Sequence, residues 1–264
     1  MAVFTLGPKG TYSHQAAQKY FPESNVYFTD SIGEIFTTLE KEKNAFGVVA
    51  MENMIEGTIR ETLDNLYETE IKIWDTLTLD IHHCICAQTE NFEIITSHPI
   101  AINQCSKFLK KNFGNKAIQT TISTASACKT ASEHAEFAAI ASTFAAENYG
   151  LKIVRENIED YPNNQTTFAV LHHKLNSAPL KKTFITVTPS KNEPGLLIKL
   201  LYPFYENGVN LTKIESRPQK TSMNEYIFYI EFEGDHRQAK IRKIFTYLEK
   251  DLKLCKIAIL GGTV

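Results

Sequence analysis

Short apolar runs alternating with helical patterns over the first two thirds of the chain predict an α/β fold. A βαββαβ order over the last third predicts a second, ferredoxin-like unit. The length of 264 residues supports the same division, because it exceeds the usual size of a single domain. With 43% hydrophobic and 22% charged residues the chain lies near the globular average, which excludes disorder, collagen-like repeats and coiled coil as the main architecture.

Taken in order, residues 3–6 read as a strand that enters the turn Gly7-Pro8-Lys9-Gly10, and residues 13–20 have helical composition. Residues 46–51 form a buried strand leading into Glu52-Asn53. Thr58-Ile59-Arg60-Glu61 reads as a capping box, so a helix is expected from about Thr58, with Ile59, Leu63 and Leu66 on its apolar face. Strands are expected over 81–87, 94–97 and 138–141, after which Ser142 caps a helix that Gly150 ends. The stretch 172–182 is polar and has neither period, so it reads as a linker between domains at 1–175 and 183–264. Beyond it come strands over 184–188, 211–216, 226–232 and 254–260, with helices at about 195–206 and before the last strand. Pro203 should kink or shorten the first of these helices, since it removes a backbone donor. The second carries an apolar stripe of Ile241, Ile244, Phe245, Leu248 and Leu252, with Arg237, Lys240, Arg242, Lys243 and Lys250 mostly off it as a solvated face.

Charge and composition narrow the function classes. Lys plus Arg (28) nearly balances Asp plus Glu (30), so no overall field draws nucleic acid or an anionic membrane. The longest apolar runs, 46–51 and 137–140, fall far short of the roughly 20 residues that span a bilayer. The first residues lack a basic region and a long apolar core, so a cytoplasmic location is expected. Five scattered cysteines (Cys84, Cys86, Cys105, Cys128, Cys255) suit reduced, packed thiols rather than a disulfide framework, which agrees with that location.

The turn Gly7-Pro8-Lys9-Gly10-Thr11-Tyr12-Ser13-His14 sets glycines, hydroxyls and a lysine before a helix N-terminus; it is either a plain strand-to-helix turn or an anion site. Asn163-Asn164-Gln165-Thr166-Thr167-Phe168 supplies amides and hydroxyls that serve a turn or a substrate. In His82-His83-Cys84-Ile85-Cys86 the period of two places His82, Cys84 and Cys86 on one strand face, but the spacing is not that of a metal site, and packing is the favoured reading. No nucleophile elbow, Walker loop or Rossmann fingerprint is present.

Together these segments resemble the prephenate dehydratase family along essentially the whole chain. The resemblance is carried by the opening turn, by Glu52-Asn53 with Glu56-Gly57-Thr58 and Thr62-Leu63-Asp64, by Ser97-His98-Pro99 with Gln104-Cys105, by Ser123-Thr124-Ala125 and by Asn164-Gln165-Thr166-Thr167-Phe168. Gly195-Leu196-Leu197 and the run from Asn210 to Pro218 resemble the phenylalanine-binding ACT domain of that family. The resemblance implies a two-lobed catalytic domain similar to type II periplasmic binding proteins, with prephenate in the cleft, followed by the ACT domain. The implied reaction is loss of carbon dioxide and the ring hydroxyl to give phenylpyruvate, with no cofactor and no metal. Relatives that only decarboxylate prephenate, or that sense amino acids without catalysis, are the alternatives.

By match to the motifs, Thr166 donates to the leaving oxygen, Asn53, Ser97 and Gln104 position the substrate, and Glu52 orients its neighbours. Lys9, Gly10, Thr11, Ser13, Asn164 and Phe168 bind substrate, and Gly195, Leu196, Asn210, Leu211, Glu215 and Ser216 bind phenylalanine as an allosteric effector. A homodimer or homotetramer is implied, with no nucleic-acid or membrane partner. The chain departs from the family pattern at Thr167, where an arginine is usual, and at Met54, where serine or threonine is usual. Lys9 and Arg60, which lie near motif residues in sequence, are the cations expected to offset the first.

Overall fold

The computed structural model describes residues 1–219 and 222–264. The chain divides into one unit of Met1–Asn65 with Leu77–Ala169 and another of Leu66–Thr76 with Val170–Val264.

In the first unit, strand β1 (Ala2–Leu6) buries Val3 and Thr5 by its period of two and leads through the turn into helix α1 (Tyr12–Tyr20). Thr11 caps α1, its hydroxyl accepting the His14 N–H. Strand β2 (Asn25–Thr29), helix α2 (Ile32–Lys41), strand β3 (Phe46–Asn53) and the two-residue β4 (Gly57–Thr58) follow. Strand β1 lies parallel to both β2 and β3, while β4 turns back antiparallel on β3. Helix α3 (Arg60–Glu68) and strand β5 (Lys72–Asp80) cross the boundary between the units.

A second sheet is built from β6 (Cys84–Ala87), β7 (Ile94–Ser97), β8 (Ala117–Thr120), β9 (Phe137–Ala141) and β10 (Lys152–Arg155), in the order β10-β6-β9-β7-β8. Helices α4 (Pro99–Gln104), α5 (Ser106–Phe113), α6 (Thr124–Glu133) and α7 (Thr143–Asn148) connect these strands. Alternate residues of β6 serve opposite faces. Cys84 and Cys86 pack with the alanines of α6 and α7 and with Cys128, whereas Ile85 and Ala87 pack with Phe92, Ile95, Ala101 and Leu109. Small side chains on the first face let α6 and α7 approach the sheet closely. The chain then returns through strand β11 (Gln165–His172), which lies beside β3 in the order β11-β3-β1-β2.

Three expectations are corrected here. Helix α3 begins at Arg60 rather than Thr58, because Thr58 is held in β4 opposite Glu52, and the Glu61 carboxylate accepts the Gly33 N–H instead of closing a capping box. The strand expected over 81–87 starts only at Cys84, since Ile81 to His83 form a crossover between sheets. His82 therefore does not share a strand face with Cys84 and Cys86. All five cysteines are free and buried, and the Cys86 and Cys128 sulfurs lie 3.6 Å apart.

In the second unit, β12 (Lys182–Pro189), α8 (Leu196–Glu206), β13 (Leu211–Gln219), β14 (Ser222–Glu233), α9 (Ala239–Thr246) and β15 (Cys255–Thr263) follow the βαββαβ order, with antiparallel strands ordered β13-β14-β12-β15. Ile185, Val187, Leu200, Phe204, Phe228, Ile230, Phe232, Ile241 and Ile244 make its core. Pro203 falls in the last turn of α8, where the Asn207 N–H and side-chain amide both donate to its carbonyl and close the helix. A π-helical turn (Tyr247–Asp251) follows α9; its extra residue rotates Leu252 off the apolar stripe, leaving it 41% exposed. Gly261 has a φ of +128° and pairs with Ile73, where a Cβ would run into the Ile73 carbonyl.

Candidate active site

Two crossover segments join the sheets of the first unit, and they are bonded to each other. The Ile81 N–H donates to the Asn164 carbonyl (2.8 Å), the Ile158 N–H to the His83 carbonyl (3.0 Å), and the His83 N–H to Glu159 Oε2 (3.0 Å). Beside them lies a cavity of about 280 Å3. Its lining draws on both sheets: Asn53 from β3, Thr166 and Phe168 from β11, Gln104 from α4, and His83 from the crossover.

The polar floor is built from Asn53 outward. Its Oδ1 accepts the N–H groups of Ile55 (2.9 Å) and Glu56 (3.0 Å), a side-chain turn that fixes which way the amide faces. The Nδ2 group is thereby aimed at Asn164 Oδ1 (3.0 Å), the Gln165 carbonyl (3.2 Å) and Thr166 Oγ1 (2.8 Å). Thr166 is 7% exposed, and its oxygen serves as an acceptor for Asn53, so the hydroxyl proton is left to donate into the cavity.

Opposite stands a second polar group. His83 Nε2 lies 2.9 Å from Gln104 Oε1, and His83 Nδ1 lies 3.3 Å from the Tyr12 hydroxyl. Tyr12 donates to the His82 carbonyl at 2.6 Å. Burial lowers the His83 pKa below its ordinary value, against smaller upward pulls from Gln104 and Glu159, and burial raises that of Tyr12. Burial pushes the Glu159 carboxyl up, but the His82 ring at 2.7 Å and the His83 N–H outweigh it, and the net shift is downward.

Charge complementarity comes from backbone. Thr11, Tyr12 and Ser13 open α1, His98, Ile100 and Ala101 open α4, and Ser123 and Thr124 open α6, all on the cavity lining. The first N–H groups of a helix have no intrahelical partner and carry the positive end of its dipole, so this rim favours an anion.

Of the residues expected at the site, Thr11, Ser13, Asn53, Gln104, Asn164, Thr166 and Phe168 line the cavity together. Gly10 does not: its N–H donates to His14 Nδ1 (3.1 Å), which shifts the open amides to Tyr12 and Ser13. Ser97 is fully buried and donates to the Ile140 carbonyl at 2.6 Å, outside the lining. Glu52 sits on β3 opposite Thr58, also outside it. Lys9 and Arg60 are exposed and line no part of the cavity. Thr167 follows Thr166 on β11 and so points to the other face, where its hydroxyl lies 3.3 Å from that of Thr78. The departure at 167 therefore does not touch the cavity, and Met54 is 65% exposed outside it.

Sequence reasoning gave no role to Tyr12, His83, His98 or Glu159. His83 was hidden in a His-Cys run that read as strand; only the start of β6 at Cys84 frees it to face the cavity. Glu159 had no pattern to mark it. In the second unit the expected effector residues are spread out. Gly195 caps α8 with φ +81°, Leu196 is buried beside a small cavity of about 50 Å3, and Asn210, Leu211, Glu215 and Ser216 lie at or along the edge strand β13 without lining that cavity.

An α/β unit of two sheets, with a floor of amides and hydroxyls under a rim of helix starts, has the construction of a protein that binds and acts on a small anion. The sequence pattern of the family described as prephenate dehydratase matches residues 3–176. The prephenate dehydratase of Methanocaldococcus jannaschii is 38% identical over 260 residues, covering 94% of this chain and 93% of that one. Among solved structures, the prephenate dehydratase of Staphylococcus aureus is similar over the full length of both chains, with a TM-score of 0.88 at 27% identity. The Arthrobacter aurescens enzyme, solved in complex with L-Phe, has the same fold, with a TM-score of 0.89 at 23% identity over 99% of this chain and 90% of that one. The chain belongs to the prephenate dehydratase family, and its class is that of a carbon–oxygen lyase.

Proposed function

We propose that the cavity binds prephenate and converts it to phenylpyruvate, with Thr166 donating to the departing hydroxyl. The carboxylate on the quaternary ring carbon leaves as carbon dioxide; its bonding electrons move through the ring and expel the 4-hydroxyl, which takes up a proton to leave as water. Aromatisation drives the step, so the protein's task is to hold two carboxylates and supply a donor at the leaving oxygen. The starts of α1 and α6 suit the carboxylates. The observation that carries this reading is the Asn53 Nδ2 to Thr166 Oγ1 contact of 2.8 Å, because it consumes the acceptor side of the hydroxyl and leaves its proton for the ligand. Gln104 and Asn164 position the ring, and Glu52 and Ser97 act from behind the lining by holding β3 and β7.

The finer assignments belong to the same proposal. The two sheets with a cavity beside their crossovers support a type II periplasmic-binding-protein arrangement for residues 1–175, and the βαββαβ order supports an ACT domain over 183–264. Phenylalanine is the proposed effector, bound at Gly195, Leu196 and the Asn210–Ser216 stretch of paired copies in a homodimer or homotetramer in the cytoplasm; the scatter of these residues within one chain fits a site completed by a second copy. The test is to incubate the protein with prephenate at neutral pH and follow phenylpyruvate by its absorbance in alkali, with and without phenylalanine. Phenylpyruvate formation suppressed by phenylalanine is the expected result. Prephenate consumed without phenylpyruvate would indicate a decarboxylase, and prephenate left intact would indicate a sensing protein.

A further inference from the structure

We propose that His83 loads a proton for anion binding: the cavity takes up a dianion together with one proton, which settles on the His83 ring. The inference rests on reading the cavity as the prephenate site.

Two observations carry it. First, both ring nitrogens face acceptor oxygens. Nε2 faces Gln104 Oε1 at 2.9 Å, and Nδ1 faces the Tyr12 hydroxyl oxygen at 3.3 Å. The single Tyr12 proton goes to the His82 carbonyl at 2.6 Å, so the phenol oxygen is left to accept. A ring flanked in this way is satisfied on both sides only as imidazolium. The neutral ring sets a nitrogen lone pair against an oxygen lone pair. Second, the described residues that line the cavity include no lysine or arginine; the titratable ones are Tyr12, Glu56, His83 and His98. Two substrate carboxylates are then met by neutral donors and helix starts alone, unless a proton accompanies them.

The groups that face His83 decide when the proton arrives. They are Tyr12 from α1, Gln104 from α4, Glu159 from the return crossover, whose Oε2 accepts the His83 N–H, and the neighbouring His82, which Glu159 also holds. In the chain alone, burial outweighs the pull of Gln104 and Glu159 and keeps the ring below its ordinary pKa, hence neutral at pH 7. A dianion in the same poorly solvated space reverses the balance, since an opposite charge a few ångströms away favours the protonated form.

The test is the dependence of KM and kcat on pH, with prephenate as the probe, between about pH 6.5 and 8.5. The expected result is a KM that rises with pH, by up to about tenfold per pH unit, while kcat changes less than about twofold. His83→Asn should give a KM that is raised and independent of pH. Tyr12→Phe, which removes the acceptor at Nδ1, should keep the slope but begin the rise at lower pH. His98→Asn should keep the wild-type profile in shape. A wild-type KM that is flat with pH overturns the inference without recourse to any variant. A wild-type slope retained in His83→Asn, or lost in His98→Asn, overturns it too. Prephenate left intact by the wild-type chain overturns the functional reading instead, so the two failures are distinguishable.

Discussion

Thr166 and Thr167 are adjacent hydroxyls with opposite fates, and the alternation of a strand separates them. Thr166 faces the cavity with its oxygen engaged by Asn53, whereas Thr167 faces the other side, toward Thr78. Thr166→Ala should therefore lower kcat for prephenate by a factor on the order of 100 or more, the scale of a lost proton donor, with the melting temperature little changed. Thr167→Ala should leave kcat within about twofold, because an exposed hydroxyl pair contributes little and touches no lining residue. Steady-state kinetics on the two purified variants checks both; equal losses would remove the distinction between the faces. The same alternation sets the side chain at 167, where an arginine is usual in the family pattern, off the lining of the cavity.

Loops between elements hold the second unit in register, and one carboxylate does much of this. Asp235 accepts the Leu180 N–H (2.9 Å), the Arg237 N–H (2.8 Å) and Arg237 Nε (2.8 Å), and the Arg237 guanidinium donates on to the carbonyls of Ser177 and Ala178. The segment that reads as a linker in sequence is thus tied down where it enters β12. The Arg237 side chain holds the Asp235 carboxyl well below the usual carboxylate range, even though burial opposes it. A depressed carboxyl contributes stability above its unfolded pKa of about 3.9 and loses it as pH falls through the native value. Asp235→Asn, which turns an amide donor toward these donors, should cost about 2 kcal/mol at pH 7, less below about pH 4, where the wild type weakens in the same way. Denaturant unfolding at the two pH values measures the difference, and an equal cost at both would show that the charge is not the cause.

Across the whole molecule, what could be read in the sequence was what depends on near neighbours, and what could not was contact between distant segments. The strand at 94–97, the Ser142 cap and the βαββαβ order follow from period, turn chemistry and capping, and all three stand in the structure. Strand β5 and the crossover at 81–83 were missed, because a run such as Leu79 to Cys86 is apolar on either side of a break that only tertiary pairing creates. Motif matching brought seven expected residues to one cavity, yet His83, Tyr12 and Glu159 needed the crossovers to be placed. The effector proposal is tested at the scale of the whole molecule. An effector suppresses turnover by binding one conformation more tightly than another, and binding to the folded state also appears as a concentration-dependent rise in melting temperature. Millimolar phenylalanine should produce both. Asn210→Ala removes a polar group at the turn into the edge strand β13, where the Asn210 carbonyl accepts the Glu233 N–H, and should raise the phenylalanine concentration for half-inhibition about tenfold, the scale of one lost hydrogen bond. Calorimetric titration without heat, alongside an unmoved melting curve, would leave the second unit with a role in assembly alone.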